Sequence, residues 1–210
     1  MKLLTIFSTA TLALALTATA GATTVDFTPG LMTSSSGLAT SDFNNGLVPA
    51  GFTFTGNSGV VSGSAPFVYA QPAGDATDYA YVGAGGYSTA TLGAPGVGVN
   101  YFGLYWGSPD QYNTLTFTDT MGNTVVYGHG GMMIPGFTPN YQGNPDSYVD
   151  FYVTGNNWVS ATWTSSTAAF EFDNVTAGLM ATPEPASIAL LALGLVAVGA
   201  GARRRKLSRF

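Results

Sequence analysis

Ten carboxylates and one imidazole lie between Thr23 and Thr182, and that stretch has no lysine, arginine or cysteine. Those residue types restrict the chemistry. Without thiols, a disulfide framework, thiol catalysis and Cys-ligated zinc are all excluded. Without cationic side chains the acids have no ion-pair partner of the usual kind, so they must be solvated, hydrogen-bonded or metal-bound. Glu171-Phe172-Asp173-Asn174 near the end of the stretch and Asp26 near its start offer carboxylate and amide oxygens, the donors Ca²⁺ prefers. Asp26, Asp173 and Asn174 form a candidate calcium site if the first and last strands are neighbours. If they are not, the three are solvent-face or capping residues. Asp110 and Asn113, in Gly107-Ser108-Pro109-Asp110-Gln111-Tyr112-Asn113, read as turn residues whose side chains bond the local backbone. Ten acids give many pairs, and no spacing singles out a glycosidase pair. His129 sits in Gly128-His129-Gly130-Gly131, but no G-x-S-x-G elbow accompanies it, so it reads as a loop histidine. Trp106, Trp158 and Trp163, with eleven tyrosines in the chain, are candidates for a sugar-stacking face, or else core residues. No catalytic residue is assigned, and a non-enzymatic domain is expected.

The elements that would position these residues are strands. Short segments rich in Val, Thr, Tyr, Phe and Trp recur between Gly, Pro, Asn, Asp and Ser clusters. The pattern predicts strands at Thr24–Thr28, Phe52–Thr55, Val60–Ser62, Phe67–Ala70, Tyr79–Val82 and Ser88–Leu92. It predicts six more at Asn100–Trp106, Thr114–Thr118, Thr124–Tyr127, Tyr148–Val153, Trp158–Trp163 and Ala169–Asp173. Val149, Phe151 and Val153 share one face, and Tyr148, Asp150 and Tyr152 share the other. Phe170 and Phe172 face opposite to Glu171 and Asp173. Asp119-Thr120-Met121-Gly122-Asn123 is a hairpin signal. No helical period is sustained and no internal repeat is visible. The expected fold is all-β, a single β-sandwich of jelly-roll type spanning 23–182. Its longest turn-rich stretch, Gly128 to Asp146, is expected to be a surface loop.

The ends differ from the centre. All six basic residues are terminal: Lys2, then Arg203, Arg204, Arg205, Lys206 and Arg209. Residues 1–22 have the layout of a secretory signal peptide, with a charged start, an apolar run and small residues that allow cleavage after Ala20 or Ala22. Residues 186–202 are a 17-residue apolar run, roughly 26 Å as a helix and just short of the ~30 Å hydrocarbon core. The basic stop at 203–210 then belongs on the cytoplasmic side, leaving the preceding domain outside the inner membrane. The central stretch carries a net charge near −10, which repels nucleic acid and anionic lipid and attracts cations.

Pro183-Glu184-Pro185, a Leu/Ala/Gly-rich span and the terminal arginines together resemble the PEP-CTERM sorting signal of Gram-negative bacteria. The resemblance covers 183–210. It implies recognition and tail processing by an exosortase, an integral-membrane cysteine transpeptidase, with transient residence in the inner membrane. It further implies an exported cargo at the cell surface or in the extracellular matrix, where such proteins are linked to exopolysaccharide and biofilm. Tyr101–Asn113 with Thr114–Phe117, and Ala168–Val175, are similar to segments of β-sandwich surface proteins that carry this tail. The resemblance addresses location rather than activity. Three functions stay open for the centre: a non-catalytic surface or matrix protein, a carbohydrate-binding or carbohydrate-active protein, and an adhesin.

Overall fold

The alternation of apolar and polar residues is realised as two antiparallel sheets facing each other across one core. The computed structural model describes residues 23–29, 36–107, 109–128, 131–132 and 145–180. The expected signal peptide at 1–22, the expected sorting segment at 183–210, His129 and most of the Gly128–Asp146 loop lie outside the described residues.

The strands are β1 Thr23–Pro29, β2 Thr40–Ser41, β3 Phe52–Thr55, β4 Ser58–Val61, β5 Tyr79–Val82, β6 Tyr87–Thr91, β7 Tyr101–Gly107, β8 Asn113–Asp119, β9 Thr124–Gly128, β10 Ser147–Val153, β11 Trp158–Ser165 and β12 Phe170–Gly178. A seven-stranded sheet runs β1-β10-β7-β12-β5-β4, with β2 also paired to β12. A five-stranded sheet runs β3-β6-β11-β8-β9. Among the described residues the only helical element is a 3-10 turn at Asn44–Gly46.

The core follows from the period of two. β10 buries Val149, Phe151 and Val153, and β12 buries Phe170 and Phe172, against Leu115 and Phe117 of β8 and Ala161 and Trp163 of β11. Rings from the two sheets interlock: Phe102 and Phe117 meet edge-to-face at 5.1 Å, and Trp163 stacks on Phe172 at 4.6 Å and 3°. Contacts of this kind add about 0.5–1.5 kcal/mol each beyond the area they bury.

The predicted hairpin forms between β8 and β9. Asp119 holds it, its Oδ1 accepting the N–H groups of Met121 and Asn123 at 2.8 Å each, while Gly122 supplies a φ of 82°. The predicted strand at Phe67–Ala70 does not form. Ala65 and Tyr69 are bridged directly, and Pro66-Phe67-Val68 is the turn between them. Pro66 has no N–H to give a ladder and pre-sets the first corner of a turn, which outweighs the apolar pattern. β12 runs five residues beyond its predicted end at Asp173. A β-bulge at Asp173–Thr176 interrupts its register with β7, and a period of two cannot be followed across an inserted residue.

Candidate functional site

The outer face of the larger sheet gathers the polar residues that sequence spacing could not bring together. Up to Asp173 the alternation of β12 puts Phe170 and Phe172 inward and Glu171 and Asp173 outward. Asn174 then adopts φ 49° within the bulge, and Val175 returns to the core with Thr176 outward. The extra residue resets the phase of the strand. Across the sheet, Gly103 of β7 leaves room for the Tyr101 hydroxyl and the Tyr148 ring, either of which a Cβ there would meet at 2.6 Å. Tyr101 then donates to buried Asp150, and Tyr148 donates to the Thr176 hydroxyl at 2.9 Å.

A strap, residues 63–78, crosses this face and is tied down mainly by acids and tyrosines. Ala70 N–H donates to Glu171 Oε1 at 2.7 Å and Ala73 N–H to Asp146 Oδ2. The Tyr79 hydroxyl donates to the Gly63 carbonyl and the Tyr105 hydroxyl to that of Ala73, both at 2.5 Å. Within the strap, Asp75 Oδ1 accepts the Thr77 N–H at 2.8 Å and the Thr77 hydroxyl at 2.6 Å. With no lysine or arginine available, carboxylates take backbone and hydroxyl donors instead.

Burial dominates the electrostatics. Glu171 is 3% exposed, and desolvation, reinforced by the nearby charges of Asp110 and Asp146, pushes its carboxyl up to about 8 against the N–H donated by Ala70. Asp173 is raised for the same first reason and by adjacent Asp75, while the N–H groups of Asn174 and Phe43 oppose the shift. Burial likewise pushes the Tyr105 phenol up to about 12, with the charges of Asp146 and Asp75 contributing.

One end of the strap walls a groove of about 340 Å³. Asp110, Tyr112 and Glu171 line it opposite Pro66, Phe67 and Tyr69. The Tyr112 hydroxyl donates to Asp110 Oδ2 at 2.5 Å. Asn113 is buried, and the amide orientation that satisfies both of its ends donates to Ser165 and Ala169 and accepts from the Asp110 N–H. Asp110 and Asn113 are thus turn residues, as expected, and the turn delivers Asp110 to the groove. Phe67 is fully exposed and has φ 65°. Val68 N–H donates to the Ala65 carbonyl at 3.0 Å, so Pro66 and Phe67 occupy the two central positions of a turn of type II form. The second of those positions ordinarily takes Gly or Asn, and a bulky aromatic there carries strain of order 1–2 kcal/mol.

Two sequence-based expectations need correction. The first and last strands are not neighbours: β10 and β7 lie between β1 and β12, so Asp26 and Asp173 are three strand spacings, roughly 14 Å, apart. Asp26 is exposed opposite Asp150, while Asp173 is buried, so Asp26, Asp173 and Asn174 do not form one site. The tryptophans are not a sugar platform. Trp106, Trp158 and Trp163 are at most 1% exposed and stack on Phe170, Phe117 and Phe172 at 4.2, 4.3 and 4.6 Å. Their faces are already used by the core. Sequence reasoning passed over Asp75 and Phe67. The only available signal was Pro66, whose turn chemistry lay inside an apolar run.

A family model for the PEP-CTERM protein-sorting motif matches residues 181–206, which contain Pro183, Glu184 and Pro185, the apolar run and Arg203 to Lys206. The chain therefore carries an exosortase sorting signal, as the resemblance implied, and is an exported protein by that signal. No curated protein and no solved structure matches the chain.

Proposed function

We propose that this protein is a non-catalytic component of the cell surface or extracellular matrix of a Gram-negative bacterium. Its sandwich contacts exopolysaccharide through the groove beside Phe67, and its tail is removed by an exosortase. The sorting signal at 181–206 supports the route. A jelly-roll architecture is supported by the strand orders, since β5–β12 interleave as β10-β7-β12-β5 in one sheet and β6-β11-β8-β9 in the other. The observation that carries the ligand is Phe67, a fully exposed aromatic ring held in a strained turn above a groove lined by Asp110 and Tyr112. A bare ring offers an apolar face to the C–H side of a pyranose, and carboxylate and phenol oxygens bond its hydroxyls. A strained, exposed residue that burial does not require is a reasonable place to look for function.

The test is Phe67→Gly, read by glycan array and by retardation in gels containing the exopolysaccharide of the host. Glycine suits the positive φ, so the variant should be as stable as the wild type or more so, yet lose glycan retention. Retention unchanged in Phe67→Gly would sink the reading.

An enzymatic alternative is favoured by one observation: Glu171, its carboxyl raised to about 8 by burial, and Asp110 line the same groove, two carboxyls of the kind glycosidases use. It ranks second because Glu171 is 3% exposed and already accepts the Ala70 N–H. Polysaccharide cleavage that disappears in Glu171→Gln would promote it.

A further inference from the structure

We propose that Asp75 and Asp173 together hold a divalent cation, calcium by preference, between the strap and β12. The two carboxyl groups come from separate elements and lie within hydrogen-bonding reach of one another. Both are buried, Asp75 at 5% and Asp173 at 1% exposure. Asp75 Oδ2 and Asp173 Oδ1 have no hydrogen-bond partner.

Each carboxyl is held by donors on one side and keeps one oxygen unpartnered. Asp75 accepts an N–H and a hydroxyl from Thr77, and Asp173 accepts the backbone N–H groups of Asn174 and Phe43. Two carboxyl groups brought together in a buried site need a positive charge between them, a proton or a cation, and residues 23–182 contain no lysine or arginine to supply it. A hard divalent cation with oxygen ligands meets that need. Among the described residues no group of three or more His, Cys, Asp or Glu is placed to hold a metal. Neutral oxygens, from water or the backbone, would therefore complete the coordination. The cation would fasten the strap to the sheet where Tyr105 already holds Ala73.

The competing occupant is a single proton shared by the two carboxyls. Thermal melting of the full-length protein in detergent separates the two, comparing millimolar CaCl₂ with NaCl of equal ionic strength. The expected result is a midpoint higher by about 5 °C or more in calcium. Asp75→Asn and Asp173→Asn should each abolish that excess, and Asp26→Asn should keep it. Equal midpoints for the wild type in the two salts would overturn the proposal. So would a calcium excess that survives both Asp75→Asn and Asp173→Asn, since that reports only the acidic surface. Should the two variants fail to fold, Tb³⁺ luminescence on the wild-type chain decides. Saturable, one-to-one emission displaced by Ca²⁺ supports the site, and its absence overturns it.

Discussion

Glu171 shows how a domain without cationic side chains handles an acid it buries. Its carboxyl is held protonated to about pH 8 by desolvation, and Asp110, Asp146, Tyr79 and Tyr112 all face it. Because the folded value exceeds the ordinary 4.5, the folded chain binds the extra proton. The stability this contributes is complete below pH 4.5 and is lost as pH rises toward 8. One proton corresponds to a slope of about 1.4 kcal/mol per pH unit in that window. Glu171→Gln keeps an oxygen for the Ala70 N–H and cannot ionise, so denaturation followed from pH 5 to 8 should show that part of the slope removed (roughly this window). Trp163 shows the opposite case, a large residue used for its ring alone. It stacks on Phe172 and Phe52, and its indole Nε1 has no hydrogen-bond partner. Trp163→Ala should cost about 3–5 kcal/mol by leaving a cavity, and Trp163→Phe much less, in urea titrations.

At the scale of elements, irregularities rather than strands place the polar groups. The β12 bulge returns Val175 to the core and sets Thr176 outward, where its hydroxyl accepts from Tyr148. Asn174→Gly should shift stability by no more than about 1 kcal/mol, because φ 49° suits glycine. Deleting Asn174 should keep Val175 inward and Thr176 outward, since it removes the one inserted residue and leaves its neighbours in regular alternation, and should cost mainly the bond from the Tyr148 hydroxyl to the Asn174 carbonyl. Chemical denaturation of the two variants makes the comparison. Most strand positions were legible from alternation and turn spacing, and Phe52–Thr55 and Tyr79–Val82 were read to the residue. The exceptions have local causes. Two-residue β2 carries no pattern, and at Phe67–Ala70 the turn preference of Pro66 competes with an apolar run.

For the whole molecule, charge is the governing quantity. A domain near −10 with no lysine or arginine repels itself. Its melting midpoint should rise on going from low salt to ~0.15 M NaCl, where the screening length falls to about 8 Å. Calorimetry at the two ionic strengths measures the rise, and midpoints that do not move would mean the acids are already neutralised. The sorting signal makes a separate prediction about the mature chain. Intact-mass analysis of the surface fraction from the host should find C-termini that lack Arg203 to Lys206, and chains ending at Phe210 would count against tail removal.

Composition and order along the chain were enough to determine the sorting signal, the all-β class and the absence of thiol chemistry. Each depends on residues close in sequence or on residues that are missing. Which strands lie side by side was decided only in three dimensions, because pairing joins β1 to β10 and β12 to β7 across long stretches of chain that no local pattern records. Asp26 and Asp173 both looked available for one site, yet two intervening strands part them. Asp75, 98 positions before Asp173, meets it because the strap folds back over the sheet. The tryptophans illustrate the same division. The sequence marks them as large amphipathic rings, and only the packing of two sheets turned all three inward, where stacking on phenylalanine outweighs an exposed face.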